Sequence, residues 1–169
     1  MIVKEIQGSI LDTDLNFIAH GVNCQNKMGS GVAKVLFTKY PEVKTNYHHF
    51  FNNNIHLLMN GQEDFLGTVQ PIVARDGKTV FNLFTQENYG YDGKLYLSYQ
   101  AVIDVFDILT NKCENMNAIA IPKIGCGLAG GDWEIVKKII NRSTGDKLDV
   151  YVYYLWGIMK YLLIALLLT

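Results

Sequence analysis

The chain has 169 residues, 49% hydrophobic and 18% charged, with a formal net charge of −1. This is enough for one domain with a core of its own, and the composition excludes a disordered chain. The near-neutral balance gives no electrostatic footprint for nucleic acid, and no such partner is expected. In chain order, Met1–Gln7 reads as a strand, closed by Gly8-Ser9-Ile10-Leu11 and the turn material Asp12-Thr13-Asp14. Asn16–Val22 is a second strand, apolar enough to be covered on both faces. Asn23–Gly31 is a polar, glycine-bearing loop, and Val32, Val35, Leu36 and Tyr40 then recur at helical spacing. Pro41 suits the first turn of a further helix, Glu42–Phe51. Gly61–Asp64 is a loop. Leu66–Ala74 and Lys78–Thr85 are strands joined by a hairpin at Asp76-Gly77. The loop Gln86–Gly93 follows, then an amphipathic helix marked by Leu95, Tyr99, Val102, Ile103, Phe106 and Leu109.

The stretch Asn117–Trp133 organises what remains. Ala118–Ile121 has the length of a buried strand. Gly125, Gly127, Gly130 and Gly131 follow, and Asp132 stands as N-cap of a helix to Arg142. Strand, glycine loop and helix start form an arrangement for holding an anion. Glycines let backbone N–H groups approach a ligand, and the helix N-terminus adds free donors. The first three glycines also match the dinucleotide fingerprint G-x-G-x-x-G, which belongs to the first strand–helix unit of a Rossmann domain rather than to one this late. A glycine turn without a ligand is the plain alternative. Leu148–Leu155 is the last strand. Alternating strands and helices with one hairpin imply an α/β sandwich around a mixed sheet. The loops Gly8–Leu11, Asn23–Gly31, Thr85–Gly93 and Gly125–Gly131 all follow strands and should meet in one cleft.

Cys24, Cys113 and Cys126 contain no C-x-x-C pair, which points to reduced thiols and a cytoplasmic protein. Met1–Gly8 lacks the pattern of a signal peptide. Trp156–Thr169 is continuously apolar, and with Val150–Leu155 it reaches the ~20 residues of a spanning helix. Lys160 would then lie mid-membrane, so an anchor is not expected. The remaining readings are a packed helix or an extension outside the domain of residues 1–155.

The motifs G-S-I-L, H-G-V-N-C-Q-N-K-M-G-S-G-V-A, L-F-T-Q-E-N-Y-G and I-P-K-I-G-C-G-L-A-G-G-D-W, in that order, resemble the macrodomain family. They look most like its small ADP-ribose 1″-phosphate phosphatases and are similar to the ADP-ribosyl-glutamate hydrolases. The resemblance implies a three-layer α/β/α macrodomain with a mixed central sheet, binding ADP-ribose or ADP-ribose 1″-phosphate as a monomer without cofactor or metal. It places Gly8, Ser9 and Ile10 at the adenine end and Gly21, Val22 and Asn23 at the distal ribose. Met28, Gly29, Ser30, Gly31, Val32 and Ala33 would grip the diphosphate and distal ribose from one side. Ile124, Gly125, Cys126, Gly127, Leu128, Ala129 and Gly130 would do so from the other, with Thr85 and Gln86 in the third loop. The chain departs from the family at Ser9, where many members carry an adenine-reading Asp, and at Ser30 within the usual run of three glycines. Gln86 and Ala129 stand where the glutamate hydrolases carry a lysine nucleophile and an aspartate. Neither can form a Schiff base or take a proton, which favours the phosphatase over the hydrolase.

Among single residues, the Asn23 amide can hold a ribose hydroxyl or place a water, or it can close an Asx-turn. His20, three residues earlier, is a candidate general acid or base, or a satisfied core histidine. His48, His49 and His56 lack metal-ligand spacing. Cys24 and Cys126 lack the arginine of a C-x5-R phosphatase, since Ser30 and Asp132 stand six residues on. Asp12-x-Asp14 suggests an aspartyl-phosphate motif, but its fifth position is Asn16. Tyr89 and Tyr91 are candidates for a lid, and Lys27 for a point charge beside phosphate. The same motifs also suit a non-catalytic ADP-ribose-binding module or a protein ADP-ribosyl hydrolase.

Overall fold

A computed structural model of the chain describes residues 1–59, 65–113 and 115–155, the side chains of 55–59 apart. Six strands form one sheet: β1 (Ile2–Gln7), β2 (Phe17–Asn23), β3 (Val69–Val73), β4 (Thr79–Gln86), β5 (Ala118–Pro122) and β6 (Asp149–Tyr154). Their spatial order is β1-β6-β5-β2-β4-β3. All neighbours are parallel except β3, which pairs antiparallel with β4 through the expected hairpin. The helices are α1 (Gly31–Lys39), α2 (Pro41–Met59), α3 (Tyr99–Lys112) and α4 (Trp133–Thr144).

Period-two alternation along the strands feeds two separate cores. Ile18, Val22, Val80, Phe84 and Ala120 meet Leu36, Tyr47 and Phe51 of α1 and α2 on one face. Ala19, Phe81, Leu83, Ile119 and Ile121 meet Val102, Phe106, Val136 and Ile140 of α3 and α4 on the other. The result is the expected α/β/α sandwich with a mixed sheet.

Three local expectations are corrected. Ile10–Asp12 is a 3-10 turn, with the Ser9 hydroxyl accepting from the Leu11 N–H at 3.2 Å. α2 runs on past Phe51 through three consecutive asparagines. One of them, Asn54, donates back to the Phe50 carbonyl at 2.8 Å instead of breaking the helix. α3 starts at Tyr99 rather than Leu95, because the Ser98 hydroxyl caps the Ala101 N–H; Leu95 is left exposed. Gly61–Asp64 and Trp156–Thr169 lie outside the described residues. Among the described residues no helix is long and apolar enough to cross a membrane.

The strand order fixes where a ligand can go. The chain leaves β2 through α1 and α2 towards β4, and leaves β5 through α4 towards β6. β2 and β5 are adjacent, yet their following helices lie on opposite faces. Such a switch point opens a crevice beyond the strands' carboxyl ends.

Candidate functional site

A cleft of about 1030 Å³ occupies that crevice. It brings together Gly8, Ser9 and Ile10 after β1, Gly21, Val22 and Asn23 on β2, and Met28 to Ala33 leading into α1. Gln86 at the end of β4 and Ile124 to Ala129 after β5 complete the walls. Thr85 and Gly130, expected among the ligand contacts, are not part of the lining. Thr85 is fully buried beneath Gly21, where an added Cβ would come within 2.8 Å of its hydroxyl oxygen. Gly130 packs outward, where a Cβ would meet the Lys94 carbonyl at 2.6 Å.

The loop between β2 and α1 is held from within and from α2. The Asn23 amide nitrogen donates to the Lys27 carbonyl at 2.7 Å, and its oxygen accepts from the Gln25 N–H at 2.9 Å. The buried Tyr47 hydroxyl donates towards the Asn23 backbone and side-chain oxygens, at 2.8 and 3.0 Å. Asn26 adopts a left-handed φ of 54° and sits 2.6 Å from His48 Nδ1. Asn23 therefore serves as an Asx-turn that shapes the loop, with its oxygen and at least one amide hydrogen committed. Where the loop enters α1, the Ser30 side chain makes no capping bond. The first-turn residues of α1, Val32 and Ala33, thus line the cleft with backbone N–H groups that Ser30 does not cap.

The second glycine loop differs from its sequence reading. Asp132 caps α4 by accepting from the Glu134 N–H at 2.8 Å, and it is exposed and outside the cleft lining. The helix N-terminus that opens on the cleft is therefore that of α1, not of α4. Gly125 and Gly130 have left-handed φ values of 69° and 71°. A Cβ on Gly125 would lie 2.3 Å from Leu97 Cδ1, so this glycine lets the loop close onto the segment before α3. Gly127 and Gly29 would meet nothing within 4 Å, and both line the cleft. The Cys126 thiol donates to the Ile124 carbonyl at 3.2 Å, and burial pushes its pKa up to about 11. A neutral, bonded thiol is no nucleophile.

His20 lies at the cleft floor, 1% exposed. Its Nε2 is 2.7 Å from the Asn82 side-chain oxygen, which fixes the ring proton on that nitrogen. The Asn82 amide donates to Gln70, and Gln70 donates to the Asn46 carbonyl of α2, both at 2.9 Å. Nδ1 is buried with no partner. Burial lowers the His20 pKa to about 4, against the opposing pull of the Asn82 bond, so the imidazole is neutral at physiological pH.

Tyr89 and Tyr91 line the cleft mouth and are 44% and 72% exposed. Gly90 between them is pressed against Tyr96, whose hydroxyl donates to Asp92 at 2.9 Å. Lys44, His48, Lys123, Tyr153 and Tyr154 also line the cleft, and none was singled out as a ligand contact from sequence. The tyrosines were within reach of the rule that ligands sit at carboxyl ends of strands, since they close β6. Lys44 and His48 carried no such signal. Among the described residues no group of three His, Cys, Asp or Glu is arranged to hold a metal ion.

No family model matches the chain. An uncharacterised 17.5 kDa protein from the tk-vs intergenic region of Enterobacteria phage T4 is 29% identical over 163 residues, 90% of this chain and 96% of that one. The ADP-ribose 1″-phosphate phosphatase of Candida albicans is 26% identical over 141 residues, 80% of this chain and 86% of that one. The DNA ADP-ribosyl glycohydrolase of Mycobacterium tuberculosis is 28% identical over 144 residues, 85% of this chain but 39% of that one. Among solved structures, a macrodomain protein from Streptomyces coelicolor matches with a TM-score of 0.72 at 22% identity, covering 91% of this chain and 99% of that one. Thermosipho africanus DarTG in complex with ADP-ribose matches at 0.65 and 15% identity, covering 89% of this chain and 42% of that one. The fold is that of a macrodomain.

Proposed function

We propose that the chain hydrolyses ADP-ribose 1″-phosphate to ADP-ribose and inorganic phosphate in this cleft. One observation carries the reading: two glycine loops, Gly29–Gly31 and Gly125–Gly127, face a single cavity at the switch point of the sheet. Gln86 and the buried Ala129, at the positions where the ADP-ribosyl-glutamate hydrolases that the chain resembles carry lysine and aspartate, turn the reading from removal of ADP-ribose from glutamate towards the phosphomonoester. The similarity to the Candida albicans phosphatase supports it.

The adenine end lies at Gly8–Ile10 and the distal ribose at Gly21–Asn23. The diphosphate lies between the loops, against the α1 N-terminus. A water oxygen attacks phosphorus and the bond from phosphorus to the ribose oxygen breaks. The water gives up a proton and the released ribose oxygen gains one. The chain contributes orientation and donors to the developing charge, without a covalent enzyme intermediate. Asn23 acts by holding the loop rather than by moving a proton. His20 offers a bare Nδ1 at the cleft floor, but a pKa of about 4 makes it a weak base, so turnover is slow.

The commitment of Asn23 to its own loop favours a second reading, a binding module without catalysis. Phosphate release from ADP-ribose 1″-phosphate, paired with calorimetry on ADP-ribose, separates the two. Steady release supports the phosphatase. Binding without release leaves the module, and absence of binding removes both.

A further inference from the structure

We infer that Lys27, Lys44 and His48 form a second anion subsite at the Asn23 end of the cleft, and that it holds the phosphate carried on the distal ribose. The inference rests on the proposed placement of ADP-ribose and adds the residues that would tell the phosphorylated ligand from its product.

The three side chains come from two elements. Lys44 and His48 are four residues apart on α2 and share a face, with Tyr47 beside them. Tyr47 and His48 bond Asn23 and Asn26, so this face of α2 is fastened to the loop that carries Lys27. Lys27 is itself placed by the bond from Asn23 to its carbonyl. All three residues line the cleft. They are also electrostatic neighbours: after burial, Lys44 and then Lys27 depress the His48 pKa. Among the described residues, no Asp or Glu forms an ion pair with Lys27 or Lys44. The Lys44 ammonium instead sits 4.6 Å from the centre of the Phe37 ring.

A protein gains nothing in stability by gathering like charges, since each raises the cost of the next. It does so where an anion completes the set. The diphosphate is served by backbone donors from the glycine loops and the α1 N-terminus. Lys27 is bonded to Asn23 and His48 to Asn26, at the end of the cleft where a group on the distal ribose would project. Ammonium groups act there as point charges, suited to a rotating phosphomonoester.

The test compares two ligands on the intact chain and on the double variant Lys27→Gln, Lys44→Gln, with thermal melting as the folding control. The wild type should bind ADP-ribose 1″-phosphate about tenfold more tightly than ADP-ribose at low ionic strength, with the advantage shrinking as salt is added. The double variant should bind both within about twofold of each other, with ADP-ribose affinity kept. Inorganic phosphate is the further arm. A subsite for sugar-borne phosphate predicts competition only at concentrations about a thousandfold above those of the phosphorylated ligand. Equal loss of both ligands in a folded variant overturns the inference, as does an undiminished preference. Tight binding of inorganic phosphate alone overturns the assignment to the sugar-borne group. Failure of the wild type to bind ADP-ribose sinks the parent reading instead, and is distinguishable because it shows before any variant is made.

Discussion

Gly125 and Gly127 stand two residues apart in one loop, and alanine at each should have opposite consequences. At Gly125 the new Cβ meets Leu97 Cδ1 at 2.3 Å and Cδ2 at 2.7 Å, with φ at 69°. The left-handed backbone costs a non-glycine residue about 1–2 kcal/mol. Leu97 is 4% exposed within the core shared by α3 and α4, so its methyls cannot swing into solvent. Overpacking of that kind adds about 1–3 kcal/mol. Gly125→Ala should therefore destabilise the chain by about 2–5 kcal/mol, which for a domain of this size lowers the melting temperature by roughly 4–20 °C. At Gly127 a Cβ meets nothing within 4 Å, and the residue is not in the left-handed region. Gly127→Ala should leave stability unchanged or raise it by about 0.4–1 kcal/mol through lost unfolded-state freedom. Yet its methyl projects where the backbone should approach the ligand, so ADP-ribose affinity should fall at least about tenfold. Urea unfolding and calorimetry on the two variants make the comparison. A Gly127→Ala protein that binds ADP-ribose like the wild type would refute the claim that this loop touches the ligand.

The other predictions concern groups beneath the loops. His20 has a folded pKa near 4 against an ordinary 6.5, so the unfolded chain binds the extra proton between those values. The stability this contributes is fully present above pH 6.5 and is lost as pH falls towards 4, to the extent of about 3 kcal/mol. His20→Gln should flatten that part of a stability–pH curve; an unaltered slope would mean that the imidazole titrates normally. Tyr47→Phe removes the hydroxyl that donates to the oxygens of Asn23, and should cost about 1–3 kcal/mol in urea unfolding while weakening ADP-ribose binding. Wild-type values for both would show the loop to be held elsewhere. Ser9→Asp should keep the turn that Ser9 now caps, since Asp caps as well, and should raise ADP-ribose affinity about threefold or more through the adenine amino group. A fall in affinity by calorimetry would place the adenine elsewhere.

What the sequence disclosed, and what it withheld, follows from the range of the interactions. β2 and β5 were legible because each is a short apolar run ending in a polar or glycine loop, a pattern written in consecutive residues. The convergence of their loops followed from the rule for open α/β sheets. The two roles for Asn23 could not be separated, because the partners that decide between them include Tyr47, 24 residues away on another element. Lys44 and His48 were invisible as residues of the cleft for the same reason, since the rotation of α2 about its axis is set by Tyr47 and Phe51 in the core. The glycines after β5 misled in a smaller way. They looked like one anion cradle, but Gly125, Gly130 and Gly131 serve contacts with Lys94–Leu97, while Gly127 alone of the four would meet nothing within 4 Å.

The two walls of the cleft therefore belong to different halves of the molecule. One is fastened to α2 by Tyr47 and His48, over the core that contains Leu36 and Phe84. The other is fastened to the start of α3 through Leu97, over the core that contains Phe106 and Ile140. Between them run the sheet, where β2 meets β5 in register at Ile18 and Ala120, and the segment at Gln86, whose carbonyl accepts from the Cys24 N–H and which bridges to Leu97. Perturbations of the separate cores should then add in stability, as distant sites do, while coupling in ligand affinity, because a diphosphate must touch both walls at once. A fold that splits its binding surface in this way can vary one wall without disturbing the other. The departures at Ser30 and Gln86 on one side and Ala129 on the other are compatible with an intact sandwich for that reason.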